Sequence, residues 1–156
     1  MTAKEYLQRV YFIDQRIKRL QADREKLRGE MFSLKSPSGN MTAEKVQAST
    51  TGDAILRLIS KVDEAERDIV RGIEAKISIK KEIISRIEGL DDERYRMLLF
   101  DRYVLLYTWE QVSVDMNYRI KWVYKLHGNA LNAFAEKYSD ELAALGELKT
   151  PHNMVS

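Results

Sequence analysis

From Thr51 to Asp140 the chain contains no proline, and its two prolines, Pro37 and Pro151, lie outside that stretch. A strand protein needs frequent turn residues, so an interval this long without a breaker reads as helix. Apolar spacing says the same. In the first segment Tyr6, Val10, Ile13, Ile17, Leu20, Leu27, Met31 and Leu34 follow one another in alternating steps of four and three, with Arg24 where one more member would stand. That 3.5-residue period marks a helix lying lengthwise on another helix. About thirty residues at ~1.5 Å each make a rod of ~45 Å. A small globular body cannot cover it, so a partner helix is expected, internal or from a second chain.

Residues 35–51 read KSPSGNMTAEKVQASTT and keep no period. This predicts a loop, with the next helix capped by Thr51 or Asp53. A second rod then runs to Glu88. Its apolar residues include Ile55, Leu58, Ile59, Val62, Ile69, Ile73, Ile77, Ile79, Ile83, Ile84 and Ile87, and they spread over more than one stripe from Ile73 onward. A broad apolar face touches more than one neighbour. The simplest construction is a long antiparallel helical hairpin, coiled-coil-like, over residues 1–90. Its surplus apolar area predicts a homo-oligomer, a dimer held by Val10, Ile13, Ile17 and Leu20 against the Ile-rich rod. Gly89 suits the residue after a helix, and Asp91 or Asp92 can cap the next one.

Residues 91–145 carry three shorter helical periods. Tyr95, Leu98, Leu99 and Tyr103 give the first. Thr108 followed by Gln111 is a capping box that opens the second, which continues through Val112 and Met116. Asn117-Tyr118 is a short break, because Asn tolerates the left-handed conformation. Val123, Leu126, Ala130 and Phe134 give the third. The tail 146–156 has no period and is expected to fray.

Two short helices, a tight turn and a longer helix form the order of a helix-turn-helix. Charge points the same way. Residues 1–90 carry 18 basic and 14 acidic side chains, and residues 91–156 carry 8 and 10. Yet no acid occurs from Met116 through Ala135, a window that holds Arg119, Lys121, Lys125 and His127. Such a helix can approach phosphate without repulsion. The bland alternative is an amphipathic helix with solvated lysines. Spacing puts Ile120, Lys121, Tyr124 and Lys125 opposite Val123, Leu126 and Ala130, on the outward face. There the lysines can donate to guanine or phosphate, while Tyr124 and Ile120 can meet a thymine methyl.

Other chemistries find no support. The chain has no cysteine and 2 histidines, so it offers no thiol nucleophile, disulfide or Cys-ligated metal. No Gly-rich phosphate loop, nucleophile elbow or zinc-protease motif occurs, and no enzyme or cofactor is expected. No apolar run approaches a membrane span, and the N-terminus has no signal-peptide core. The expectation is a cytoplasmic protein.

The stretch Asp91–Tyr103, with Thr108-Trp109-Glu110-Gln111-Val112, Asp115–Tyr118, Val123 and Ala130-Leu131, resembles region 4 of sigma factors. The whole chain, with Met1–Leu7 and the Asp14-Gln15-Arg16-Ile17 helix, resembles a family of small phage proteins, the ArpU-like late-gene transcriptional regulators. These resemblances imply double-stranded DNA as a partner, with host RNA polymerase as a second. They imply base reading by the outward residues of the third helix, and phosphate contacts from Arg94, Arg102, Thr108 and Trp109. They place the protein in the bacterial host cytoplasm. The chain departs from the sigma pattern at three points. Arg119 stands where a Ser/Thr cap is usual, Gly128 sits inside the helix, and Trp122 replaces an often polar residue. Trp122 is open between a core role and a DNA-facing one, and Arg119 joins the candidate DNA-binding set by its place at the turn. The bland alternative for Trp109 is a plain hydrophobic anchor at a helix start. The resulting expectation is a sequence-specific regulator of phage or prophage late genes. Its rivals are a DNA-packaging recognition subunit of the small-terminase kind and a coiled-coil adaptor that binds protein only.

Overall fold

The computed structural model describes residues 1–35 and 44–149, the side chains at 44–49 and 149 excepted. Every regular element among them is helical: α1 (Ala3–Leu7), α2 (Arg9–Lys35), α3 (Glu44–Glu88), α4 (Glu93–Leu99), a π-helical turn (Phe100–Val104), α5 (Trp109–Met116), α6 (Ile120–Lys137) and α7 (Ser139–Lys149). The chain divides into two compact units, one made of residues 1–12 and 77–156 and the other of residues 13–76.

The 13–76 unit pairs the long stretches of α2 and α3. Asp14 of α2 binds Lys76 of α3, and Arg28 binds Glu66. A Cβ added at Gly72 would lie 3.0 Å from Ile17. As numbers rise along α2, those of its partners fall along α3, so the two run in opposite directions. Ile17, Val62 and Ile69 are buried there. Hydrogen bonds from Lys76 first, and then from Lys18, hold the Asp14 carboxyl below its usual range against the opposing cost of burial.

The other unit gathers α1, the start of α2, the end of α3 and everything after. Thr2 and Glu5 close a capping box over α1, and Gln8 interrupts the helical run before α2. Tyr6, Leu7 and Val10 are buried in one core with Ile83, Ile87, Leu98, Leu99, Val112, Val123 and Phe134. The Tyr6 ring lies 5.6 Å from that of Phe134, and its hydroxyl donates to Glu82 at 2.6 Å. Burial pushes the Glu82 carboxyl up, but the hydrogen bonds from Tyr6 and Arg9 outweigh it and leave it below its usual value.

Three features differ from the sequence expectation. α3 begins at Glu44 rather than near Thr51 or Asp53, because Ser and Thr in a helix interior cost only a fraction of a kcal/mol each, on the order of 0.5. Of the expected 35–51 loop, residues 36–43 lie outside the described residues, as does the tail beyond Lys149. Gly89 is not left-handed. Its place is set by close approach, since a Cβ there would run into the Tyr138 hydroxyl, which itself donates to the Arg86 carbonyl at 2.7 Å. Finally, α7 carries residues 146–149 of the expected frayed tail as regular helix.

Candidate nucleic-acid interface

Thr108 begins α5 as its cap. Its hydroxyl accepts from the Gln111 amide at 3.2 Å, and the Gln111 side chain accepts from the Thr108 amide at 2.8 Å. Two of the free donors of that helix start are thereby satisfied. At the other end Asn117 takes φ 55 and ψ 43, the left-handed region where Asn is tolerated. The turn is tied twice: the Tyr118 amide donates to the Ser113 carbonyl at 3.1 Å, and the Ser113 hydroxyl donates to the Tyr118 carbonyl.

α6 starts differently. Arg119 occupies the cap position in an extended conformation and makes no side-chain cap bond. Its carbonyl accepts from the Trp122 and Val123 amides. No acid stands in the first turn. The positive end of this 18-residue helix is therefore neither capped nor neutralised by its own sequence. Val123, Leu126, Ala130 and Phe134 turn inward and are buried. Arg119, Lys121, Trp122, Tyr124 and Lys125 are exposed, and Ile120 is half-buried. Trp122 stays out of the core at 44% exposure, with the Lys125 Nζ 5.4 Å from its ring centre.

Trp109 ties α5 to this face. Its ring meets Tyr124 edge-on at 5.4 Å and His127 at 4.6 Å. The Arg102 guanidinium lies 4.4 Å from the Trp109 ring centre and donates to the Tyr107 carbonyl at 2.7 Å. Tyr103 shares a 2.7 Å hydrogen bond with His127 Nε2. Burial first, and then the charges of Lys4 and Arg102, push His127 down to about 4, so it is neutral at physiological pH. His127 is thus a strut that orients Trp109. Among the described residues no group of three or more His, Asp or Glu side chains could hold a metal.

The candidate residues fall into two sets. Arg102, Trp109 and Tyr124 touch one another in a chain, and Arg119, Ile120, Lys121, Trp122 and Lys125 share the first turns of α6 with Tyr124. Thr108 serves its own helix cap. Arg94 stands apart on α4, pairing with Asp92 at 2.8 Å, though close enough to Tyr118 in the α5–α6 turn to feel it electrostatically. The outer side of α5 is unsuited to phosphate, for it presents Glu110, Asp115 and a Val114 that is 81% exposed.

One polar residue escaped the sequence reading. Asp101, in the π-helical turn, is 4% exposed, and its Oδ2 has no hydrogen-bond partner. Its carboxyl meets that of Asp115. Leu106, just beyond the turn, has φ 59, an uncommon conformation for a residue with a branched side chain. No sequence motif marks either position.

No protein-family model, curated protein or solved structure matches the chain.

Proposed function

We propose that the chain is a sequence-specific DNA-binding transcriptional regulator, in which α5, the Asn117 turn and α6 form a helix-turn-helix and α2 with α3 form a helical hairpin. The observation that carries this reading is the start of α6. It is uncapped and acid-free, and it presents Arg119, Lys121 and Lys125 beside Trp122 and Tyr124. Free amides, a helix dipole and flexible cations at one place suit a phosphate backbone. Exposed aromatic and lysine side chains on the next turn suit a major groove. The resemblance to sigma region 4 and to ArpU-like regulators supports the same function, with late genes of a phage or prophage as the target and host RNA polymerase as a second partner.

A second reading has its own support. Phe12 at 58% exposure and Leu56 at 65% leave apolar surface on the long helices, which suits an adaptor that binds protein. Footprinting of the full-length protein on the DNA surrounding its own gene separates the two. A discrete protected site whose occupancy falls steeply with salt supports the regulator. Absence of any salt-dependent DNA binding leaves the adaptor.

A further inference from the structure

We infer that the outer stripe of α3 is a self-association seam whose occupant is α3 of a second copy of this chain, lying antiparallel. The inference does not depend on DNA binding. α3 carries two adjacent stripes. The inner one holds Val62 and Ile69, both buried in the pairing with α2. The outer one runs Leu56, Ile59, Asp63, Glu66, Val70, Ile73, in alternating steps of three and four. Its apolar members stay in the open: Leu56 at 65% exposure, Ile59 at 41%, Val70 at 53% and Ile73 at 41%. An exposed stripe with a 3.5-residue period is matched along its length by another helix and by little else.

Two of the four residues expected to hold a dimer are buried within the chain itself. Ile17 and Val10 are buried, while Ile13 and Leu20 are half-buried. Self-association therefore falls to the neighbouring stripe on α3.

Charge names the occupant. In the middle of the stripe, acids lie on the N-terminal side, Asp63 and Glu66, and bases on the C-terminal side, Arg67 and Arg71. These groups line one shallow groove with Val70 and Glu74. A parallel, in-register partner sets acid on acid and base on base. An antiparallel partner related by a twofold axis between Glu66 and Arg67 sets Glu66 against Arg67 of the other copy, and Asp63 against Val70 and beside Arg71, twice. The same operation brings Ile59 against Ile73. The stripe is thus complementary to itself in one orientation, as an isologous interface requires. Glu66 already binds Arg28, and Arg71 binds Asp68 at 3.1 Å. Exposed pairs of this kind are weak and can be shared with an incoming chain.

The test uses the full chain. Sedimentation at concentrations on the order of tens of micromolar should show a dimer. Ile59→Glu with Ile73→Glu should give a monomer of unchanged helicity, since both side chains are exposed. Asp63→Arg and Arg71→Glu should each weaken the dimer several-fold, and the two together should restore it. The chain has no cysteine, so introduced thiols report alone. Mixed Ile59→Cys and Ile73→Cys proteins should form a disulfide with each other, and neither should do so by itself. A parent that stays monomeric overturns the proposal. So does a charge-swapped double variant no better than its singles, or a self-cross-link of Ile59→Cys, which would mean parallel pairing.

Discussion

The carboxyl of Asp101 in the π-helical turn faces the carboxyl of Asp115 in α5. Two carboxyls set side by side, one of them buried, favour keeping a proton, because like charges so close repel. Asp101 is buried, and the adjacent Arg102 is turned away to the Tyr107 carbonyl and Trp109. Asp92, the cap of α4, pairs with Arg94, and Arg96 donates to the carbonyls of Leu90 and Asp91. With these arginines engaged elsewhere, a proton on Asp101 relieves the repulsion between the two carboxyls.

This pair sets a pH dependence. Burial first, then the hydrogen bond and charge of Asp115, push Asp101 up to about 7 from 3.8. A group whose folded value is raised contributes its full stability below the unfolded value and loses it as pH climbs to the folded one. Stability from Asp101 should fall from about pH 4 to about 7 and stay level above. His127 runs the other way, since its depressed value of about 4 against 6.5 makes its contribution disappear as pH falls across that interval. Asp101→Asn keeps the shape and cannot ionise. It should melt higher than the parent above pH 7, with the advantage shrinking toward pH 4. Melting curves followed by circular dichroism from pH 3 to 9 check this, and parallel curves for the two proteins would rule out a proton held on Asp101.

The N-terminal segment belongs to the same core as α6. Leu7 and Val10 are fully buried, and Tyr6 is 2% exposed against Phe134. Tyr6→Ala should cost about 3–5 kcal/mol, more than any truncation on the exposed face of α6. Removing residues 1–12 should leave a loosened α4–α7 body with reduced near-ultraviolet signal. Denaturant melts of the two variants measure both effects. A deletion protein as stable as the parent would show that residues 91–145 hold together unaided.

Gly128 lies inside α6, and a Cβ placed there meets nothing within 4 Å. Gly128→Ala should therefore stabilise the protein by about 0.5–1 kcal/mol through helix propensity and a less free unfolded chain. DNA affinity should not change unless this face is part of the interface. The midpoint of urea unfolding reads the first, and a titration with the footprinted site reads the second.

Helix class, the Thr108–Gln111 capping box, the left-handed Asn117 and the inward Val123–Leu126–Ala130–Phe134 row were legible because each is local: a period, a cap or a turn written within a few residues. Distant partners were not. Nothing near Tyr6 says that it packs on Phe134, so the first rod reads as one continuous hairpin arm when its first turns join the α4–α7 core. Asp101 lies between Phe100 and Arg102 and looks like a surface residue. The wider π turn changes which side chains face inward, and a 3.6-residue count misses that. Gly89 reads as a left-handed helix stop, because the clash that sets it comes from Tyr138, far along the chain. The outward set on α6 was legible from spacing alone, whereas the contact of Arg102 with Trp109 depends on how the π turn delivers its side chain.

Lys121 and Lys125 offer the most direct test of the α6 face. Both are exposed, so truncating either opens no cavity, and the melting temperature of Lys121→Ala and of Lys125→Ala should match the parent. DNA binding should weaken in both. If a lysine meets phosphate, the loss should be even across sequences, and the slope of log K against log salt should drop by about 0.9 per contact. If it meets a base edge, the loss should be about 1–3 kcal/mol at the cognate site and small elsewhere. Lys125 also sits over Trp122, so Lys125→Ala should shift the indole fluorescence, while Lys121→Ala should not. Val123→Ala differs in kind. This side chain is fully buried, and its loss should lower stability by about 1 kcal/mol or more before it affects DNA. Titrations at three salt concentrations, set beside the melting curves, separate these outcomes. Two folded lysine variants that bind the cognate site as tightly as the parent would remove α6 as the recognition helix and leave the long helices as the working surface of the protein.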